Sequence, residues 1–239
     1  MKHGRCVVPK VLAFTVCLAL VASCPAPPDS FEAARERMVS QQIEARDVKD
    51  PRVLAAMRSV PRHLFVPSSQ RWTAYDDHPL AIGHGQTISQ PYIVALMTEL
   101  ARPGAGDRAL EVGTGSGYQA AILSRLVREV YTIEILPPLG EEAARRLKDL
   151  GYSNVRVRVG DGYEGWVEAA PFDVILVTAA PEKVPPPLLE QLKAGGRLVI
   201  PVGPIHDVQS LQLIEKDAQG RILTRDMLPV QFVPLTRPR

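Results

Sequence analysis

The chain has 239 residues, and its 28 lysine and arginine residues nearly balance 26 aspartate and glutamate residues, so the net charge is +2. This length predicts one domain with small additions, and the balanced charge provides no basic surface for nucleic acid. All three cysteines lie in the first 24 positions, which excludes disulfides, thiolate-bound zinc and a cysteine nucleophile from the rest of the chain; no metal is expected.

The first 30 residues predict a leader and a short tether. Basic residues at the start precede an apolar run at residues 11–22, which is too short to span a bilayer. The run ends in Val21-Ala22-Ser23-Cys24, which resembles a bacterial lipoprotein signal with Cys24 as the lipidated residue. Contact with a membrane is expected only if Cys24 is lipidated. In the alternative interpretation, translation begins near Met38 and no leader is made.

The next segment predicts helices separated by a loop-rich region. Residues 31–47 are amphipathic at helical spacing, and Asp50-Pro51 is typical of a helix start, with an N-cap oxygen before a proline. Prolines then interrupt residues 61–91, where we predict loops and a backbone role for His84. A third helix is predicted at residues 92–100.

From residue 108 the chain alternates strands and helices. The strands are predicted at residues 108–112, 130–133, 155–159, 172–177 and 197–202, and the helices between them at residues 118–126, 139–150 and 188–192. Two further strands, at residues 211–215 and around 230–233, are expected to be antiparallel. The alternation predicts an α/β domain over residues 31–239, with a doubly wound, mostly parallel Rossmann-like sheet and an antiparallel C-terminal edge. Ligands bind such sheets beyond the carboxyl ends of the strands.

The first strand leads into a glycine-rich turn, Gly113-Thr114-Gly115-Ser116-Gly117. Glycines there let a ligand approach the backbone closely. Glu134 follows Gly113 by 21 positions, at the end of the second strand, where its carboxylate can accept hydrogen bonds from both ribose hydroxyls. Tyr118 stands where a dinucleotide-binding turn has its third glycine, which favours S-adenosylmethionine over a nicotinamide cofactor.

Asp161-Gly162 follows the third predicted strand. An aspartate at that strand end can accept a hydrogen bond from the amino group of adenine. Because Asp-Gly is also common in turns, a solvated turn is the alternative interpretation.

Several segments together resemble the protein-L-isoaspartate O-methyltransferase family. They are residues 60–67, 82–91, 111–119, 131–134, 160–162, 195–203 and 233–236. The resemblance extends over about residues 35–236. Its family-specific part is Gly85-Gln86-Thr87-Ile88-Ser89-Gln90-Pro91, whereas the glycine-rich turn is common to many methyltransferases. The family usually has no exported leader, so residues 1–30 depart from its pattern.

The resemblance implies repair of damaged proteins in the cytoplasm, by methylation of isoaspartyl residues with S-adenosyl-L-methionine. It implies that Ser89 is the active-site serine, with Gln86, Thr87 and Ile88 beside it where cofactor and substrate meet. The cofactor-binding residues implied by the resemblance are Glu111, Gly113, Thr114, Gly115, Glu134, Asp161, Gly162 and Thr236.

This chemistry needs few groups from the protein. The isoaspartyl carboxylate is ionised at neutral pH and needs no general base, so Ser89 is expected to orient it by a hydrogen bond. The alternative role of Ser89 is to cap the helix that begins near Pro91. Three functional alternatives stay open: a methyltransferase of the same fold with another substrate, a nicotinamide-dependent oxidoreductase, and a non-catalytic lipoprotein that serves as a binding module.

Overall fold

The structure, a computed structural model, describes residues 1, 30–205 and 207–237. The predicted leader, with Cys24, therefore lies outside the described residues apart from its two end positions, and so does His206. Within the described ranges, no helix is both long enough and apolar enough to cross a membrane.

The N-terminal helices form where the sequence predicts them. Helix α1, Phe31–Arg37, continues into a π-helical stretch at Met38–Glu44 whose Met38 and Ile43 side chains are completely buried. Helix α2, Pro51–Ser59, starts after Asp50, whose Oδ1 accepts a hydrogen bond from the Arg52 amide at 2.8 Å. Helix α3 extends over Pro91–Ala101. The first and second predicted helix starts are thus confirmed, including the N-cap.

The region predicted as loops before α3 contains a small hairpin. Strand β1, Leu80–Gly83, pairs antiparallel with β2, Gln86–Ile88. His84 occupies the turn with a φ of 53°, so its expected backbone role is confirmed. Because the strands are only four and three residues long, the sequence contains too little alternation to reveal them.

A seven-stranded sheet forms the centre of the protein. Its strands are β3 (Arg108–Val112), β4 (Glu129–Glu134), β5 (Val155–Val159), β6 (Phe172–Val177), β7 (Leu192–Val202), β8 (Gln209–Lys216) and β9 (Ile222–Val230). The connecting helices are α4 (Tyr118–Ser124), α5 (Pro137–Asp149) and α6 (Pro186–Gln191).

The strand order is β5-β4-β3-β6-β7-β8-β9, in which the first five strands are parallel, and β8 and β9 each pair antiparallel with the strand before them. The predicted α/β fold with an antiparallel C-terminal edge is therefore confirmed. Buried side chains along β3 and β6 alternate between two core clusters, with Ala109 and Val174 in one and Leu110 and Ile175 in the other. The sheet is therefore covered on both faces.

Two predicted strand boundaries are wrong. Strand β7 begins at Leu192 rather than residue 197. The last strand is β9, Ile222–Val230, and it ends where the sequence predicted a strand around 230–233 to begin. Most side chains of β9 are exposed, so this edge strand lacks the buried alternation on which a strand prediction depends.

The order of the strands creates a crevice at the carboxyl end of β3. That strand pairs with β4 on one side and with β6 on the other, and the chain reaches β6 only after it has formed β4 and β5. The segments that leave β3 and β6 therefore diverge, and the place where they do so is called the switch point of the sheet. The space between these segments is the usual ligand site of an open α/β sheet.

Candidate functional site

A cleft lies at this switch point, between the hairpin and the carboxyl ends of β3, β4 and β6. It brings together all of the site residues predicted from the sequence except Asp161: Gln86, Thr87, Ile88, Ser89, Glu111, Gly113, Thr114, Gly115, Glu134, Gly162 and Thr236. Residues far apart in the sequence therefore share one site.

The glycine-rich turn forms the floor of the cleft. The amides of Gly113 and Thr114 both donate hydrogen bonds to the Ile133 carbonyl, at 2.9 and 3.1 Å. Gly113 has a φ of 101°, and a Cβ atom there would collide with the hydroxyl of Thr178. That hydroxyl donates a hydrogen bond to the Gly113 carbonyl at 2.6 Å. A side chain is therefore excluded at Gly113 by both conformation and space.

Glu134 holds the turn from the end of β4. Its Oε2 accepts a hydrogen bond from the Gly115 amide at 2.8 Å, and its Oε1 accepts one from the Leu136 amide at 3.1 Å. Only 5% of Glu134 is exposed. Since a carboxylate has about four acceptor positions, Glu134 can still accept hydrogen bonds from a pair of ligand hydroxyls.

Glu111 places a second carboxyl group in the cleft, and it is fully buried. Its Oε2 accepts a hydrogen bond from the Thr132 hydroxyl at 2.6 Å, whereas its Oε1 has no hydrogen-bond partner. Burial, together with the nearby Glu134, raises the pKa of Glu111 to about 8. An orphaned buried carboxyl oxygen is costly, and a cationic or hydrogen-bond-donating ligand in the cleft would satisfy it.

Asp161 does not line the cleft, although its neighbour Gly162 does. The Asp161 Oδ1 accepts a hydrogen bond from the Tyr163 amide at 2.9 Å, and its Oδ2 lies 3.3 Å from Nη1 of Arg237. A Cβ atom at Gly162 would collide with Val112. The hydrogen bond from the Tyr163 amide is typical of a turn, whereas the ion pair with Arg237 is a contact that the sequence did not indicate.

The C-terminal segment, residues 233–237, forms one wall of the cleft, and we call it the strap. Backbone hydrogen bonds hold it against the loop after β6: the Ala180 amide donates to the Val233 carbonyl at 2.8 Å, and the Leu235 amide donates to the Ala180 carbonyl at 2.9 Å. Sequence reasoning assigned only Thr236 of this segment to the site, whereas Val233, Pro234 and Leu235 also line it.

A groove adjoins the cleft on the other side of the strap and the hairpin. Residues that line both spaces are Gln86, Thr87, Ser89, Thr178, Val233, Pro234 and Thr236. The groove's described lining contains no aspartate, glutamate, lysine or arginine; its apolar side chains include Ile93, Val230 and Phe232. Thr178 was missed by the sequence reasoning, although its place directly after the fourth parallel strand was a usable signal.

Ser89 lies at the junction of the cleft and the groove. The N-cap of α3 is Gln90, and no side chain caps this helix, so the alternative interpretation in which Ser89 caps it is wrong. Within the described part of the chain, the Ser89 hydroxyl makes no hydrogen bond. Its donor is therefore available to a ligand in either space.

The described residues contain no group of three or more histidine, cysteine, aspartate or glutamate side chains placed to hold a metal ion.

The chain is similar over most of its length to known proteins. The profile of the family described as protein-L-isoaspartate(D-aspartate) O-methyltransferase (PCMT) matches residues 33–239. A protein-L-isoaspartate O-methyltransferase of Opitutus terrae is 60% identical over 205 residues, which cover 86% of this chain and 88% of the relative. A Polaromonas protein-L-isoaspartate O-methyltransferase 2 is 64% identical over 80% of this chain and 90% of its own.

A solved structure is similar over nearly the whole described fold. It is a Plasmodium falciparum protein described as a protein-L-isoaspartate O-methyltransferase, in complex with S-adenosyl-L-homocysteine, with a TM-score of 0.74 and 25% identity. The match covers 88% of this chain and 100% of the Plasmodium chain.

The raised pKa of Glu111 predicts a pH-dependent cost to stability. Between the ordinary carboxyl pKa of 4.5 and the folded-state value of about 8, the folded protein keeps a proton that the unfolded chain has lost. The free energy of unfolding of the wild type therefore falls as the pH rises through this window. The Glu111→Gln variant cannot ionise at this position. Its free energy of unfolding, relative to that of the wild type, is therefore expected to rise by on the order of a few kcal/mol from pH 5 to pH 8.

Urea denaturation at pH 5, 6, 7 and 8 measures this difference. Glu141→Gln, on the exposed surface of α5, is the control for loss of a carboxylate. If the difference in free energy of unfolding between Glu111→Gln and the wild type stays constant across the series, the claim that Glu111 is a buried neutral acid is contradicted.

Proposed function

Because the chain belongs to the protein-L-isoaspartate(D-aspartate) O-methyltransferase family, we propose that its cleft binds S-adenosyl-L-methionine and that the adjoining groove binds the isoaspartyl segment of a damaged protein. The chain is an enzyme that transfers the methyl group to the free carboxylate of L-isoaspartyl residues. The methyl ester then closes to a succinimide with loss of methanol, and the succinimide hydrolyses in part to aspartate. The observation that supports the two assignments is the position of Ser89 in the lining of both spaces.

The residues of the cleft fit this cofactor. S-adenosyl-L-methionine, when bound, supplies a methyl group activated by a sulfonium sulfur. Glu134 offers its remaining acceptor positions to the ribose hydroxyls, and the glycine-rich turn permits close approach of the ligand to the backbone. The orphaned Oε1 of Glu111 can form a hydrogen bond with the ligand. We assign Asp161, beside Gly162, to the adenine amino group through the acceptor positions that Tyr163 and Arg237 leave open.

The uncharged groove suits the methyl transfer itself. The carboxylate of isoaspartate is ionised at neutral pH, and its reaction with a sulfonium removes one negative and one positive charge. Such a reaction is favoured where water is excluded and no cation neutralises the nucleophile. The described lining of the groove has no basic side chain, so the carboxylate keeps its charge until it reacts. Ser89 orients it by donating a hydrogen bond.

The functional alternatives are not favoured. The relatives that match most of the chain act, by name, on protein isoaspartate, which does not favour another substrate or a non-catalytic binding module. Tyr118 continues to argue against a nicotinamide cofactor.

The enzyme acts on protein substrates. We propose that these are damaged proteins and peptides that carry isoaspartate, that nucleic acid is not a partner, and that a membrane is one only if Cys24 is lipidated. The active form is proposed to be cytoplasmic, because S-adenosyl-L-methionine is made there. Fractionation of host cells with mass analysis of the N-terminus tests this location. A single processed species that begins at a lipidated Cys24 outside the inner membrane would contradict it.

The first functional prediction concerns Ser89. The wild type is expected to transfer a tritiated methyl group from S-adenosyl-L-methionine to an isoaspartyl peptide and not to its aspartyl isomer. Ser89→Ala is expected to lower kcat/KM for the isoaspartyl peptide roughly 10- to 100-fold, because a hydrogen bond to a charged group is lost. Affinity for S-adenosyl-L-homocysteine should stay within about twofold, since the proposed contact is to the substrate.

Ser69→Ala, at an exposed position of a 3₁₀ helix, is the matched control. Unchanged turnover by Ser89→Ala would contradict the orienting role of Ser89. If the wild type transfers no methyl group to the isoaspartyl peptide, the proposed substrate is contradicted.

The second prediction concerns Glu134. Glu134→Ala is expected to weaken binding of S-adenosyl-L-homocysteine by roughly 1.5–3 kcal/mol, because a charged acceptor for the ribose hydroxyls is lost. Glu134→Gln keeps an acceptor for the Gly115 amide, so its loss of affinity for S-adenosyl-L-homocysteine should be smaller. Calorimetry on the folded variants measures both, with Glu141→Ala as a surface control. Equal affinity of Glu134→Ala and the wild type would refute the ribose assignment.

A further inference from the structure

The strap, residues 233–237, separates the cofactor cleft from the substrate groove. Val233, Pro234 and Thr236 line both spaces, so a displacement of the strap would alter two binding sites together. What holds the strap in place therefore matters for the reaction.

One end of the strap is held by its backbone. The Ala180 amide and carbonyl bond to Val233 and Leu235, and the Tyr163 hydroxyl donates a hydrogen bond to the Leu235 carbonyl at 3.1 Å. Beyond Leu235, no further backbone hydrogen bond of the strap forms with the described residues. Thr236 consequently lies between the last backbone anchor and the side chain of Arg237.

Arg237 fastens the other end to the loop that follows β5. Its Nη1 lies 3.3 Å from Oδ2 of Asp161 and 3.3 Å from Oε1 of Glu164. Its guanidinium carbon lies 4.4 Å from the centre of the Tyr163 ring. We call these contacts the clasp. The same loop contains Gly162, which lines the cofactor cleft.

We propose that Arg237 is a positioning residue for methyl transfer, which couples the wall of the substrate groove to the loop beside the cofactor. The inference rests on the proposed assignment of cleft and groove. When Arg237 pairs with Asp161, the strap is closed against the loop, and Thr236 is held at the boundary of the two sites. Without the clasp, the hydrogen bonds of the strap with Ala180 and Tyr163 hold it alone, so they open more often and its outer end can move away from both sites.

The exposure of the clasp sets the size of its effect. The side chains of Arg237 and Glu164 are 60% and 62% exposed, whereas that of Asp161 is 15% exposed. Exposed ion pairs contribute little individually and are weakened by salt, and the contact with Tyr163 adds a modest cation–π attraction. The clasp should therefore be sensitive to ionic strength, and its loss should have a moderate effect.

Arg237→Gln tests the clasp, because it removes the charge and keeps much of the side chain. In low salt, the KM for an isoaspartyl peptide and the Kd for S-adenosyl-L-homocysteine are expected to rise roughly three- to tenfold, with a smaller change in kcat. Arg237→Lys should recover part of the loss. In high salt, the wild type should approach the variant. Arg221→Gln, which breaks an exposed ion pair in the turn between β8 and β9, is the matched control.

Two further measurements separate positioning from a general structural role. Hydrogen exchange at the Ala180 and Leu235 amides should be faster in Arg237→Gln, while the urea midpoint stays unchanged. In a double-mutant cycle with Glu164→Gln, the two changes should be non-additive, because each breaks the same contact.

The proposal is overturned if Arg237→Gln leaves KM, Kd and amide exchange unchanged in low salt, or if its effect is equal at all salt concentrations. A wild type that fails to methylate the isoaspartyl peptide would refute the proposed function instead. In that case, the affinity of Arg237→Gln for S-adenosyl-L-homocysteine and its amide exchange would still decide whether the clasp exists.

Discussion

The site depends on the position of β3 between two parallel neighbours that the chain reaches by different routes. Strand β4 follows β3 directly through α4, whereas β6 arrives only after β5 has been added to the far side of β4. At the carboxyl end of β3 the chain must turn away sharply, and Gly113 makes this possible with a φ of 101°. Thr178, at the end of β6, occupies the space that a side chain at Gly113 would need. Because the ends of β3 and β6 pack closely, only glycine fits at position 113. The same lack of a side chain lets a ligand approach the backbone there.

The cleft and the groove differ in charge, and the difference fits the proposed reaction. Glu111 and Glu134 place two buried carboxyl groups in the cleft. Burial, together with the nearby Glu134, raises the pKa of Glu111 to about 8. The groove, by contrast, is lined within the described residues by uncharged side chains. In the proposed reaction, the buried carboxyl groups provide polar contacts for a cationic methyl donor on one side of Ser89, and the uncharged groove leaves the substrate carboxylate unneutralised on the other.

The antiparallel edge of the sheet has a role beyond completing the fold. Strand β8 reverses the direction of β7, and β9 reverses it again, so the chain after Val230 emerges at the same edge of the sheet as the carboxyl ends of the parallel strands. Two added strands therefore deliver the strap to the site. Its contacts with Ala180 and with the loop after β5 connect the C-terminal segment to structures on both sides of the switch point.

The sequence by itself determined the order of most elements, the fold class and many of the residues that line the cleft, because these follow from local patterns. Each of these patterns spans only a few residues: the apolar runs of strand length, the glycine-rich turn, and Glu134 at the end of a strand. Ser89 was assigned to the site through a family-specific motif, because an isolated serine forms no pattern from which its role could be predicted. Only the tertiary structure decided the hairpin around His84, the bounds of β9 and the contacts of Asp161 and Arg237. These depend on side chains distant in sequence: an ion pair across 76 positions leaves no periodic signal, and an exposed edge strand lacks the alternation that burial imposes.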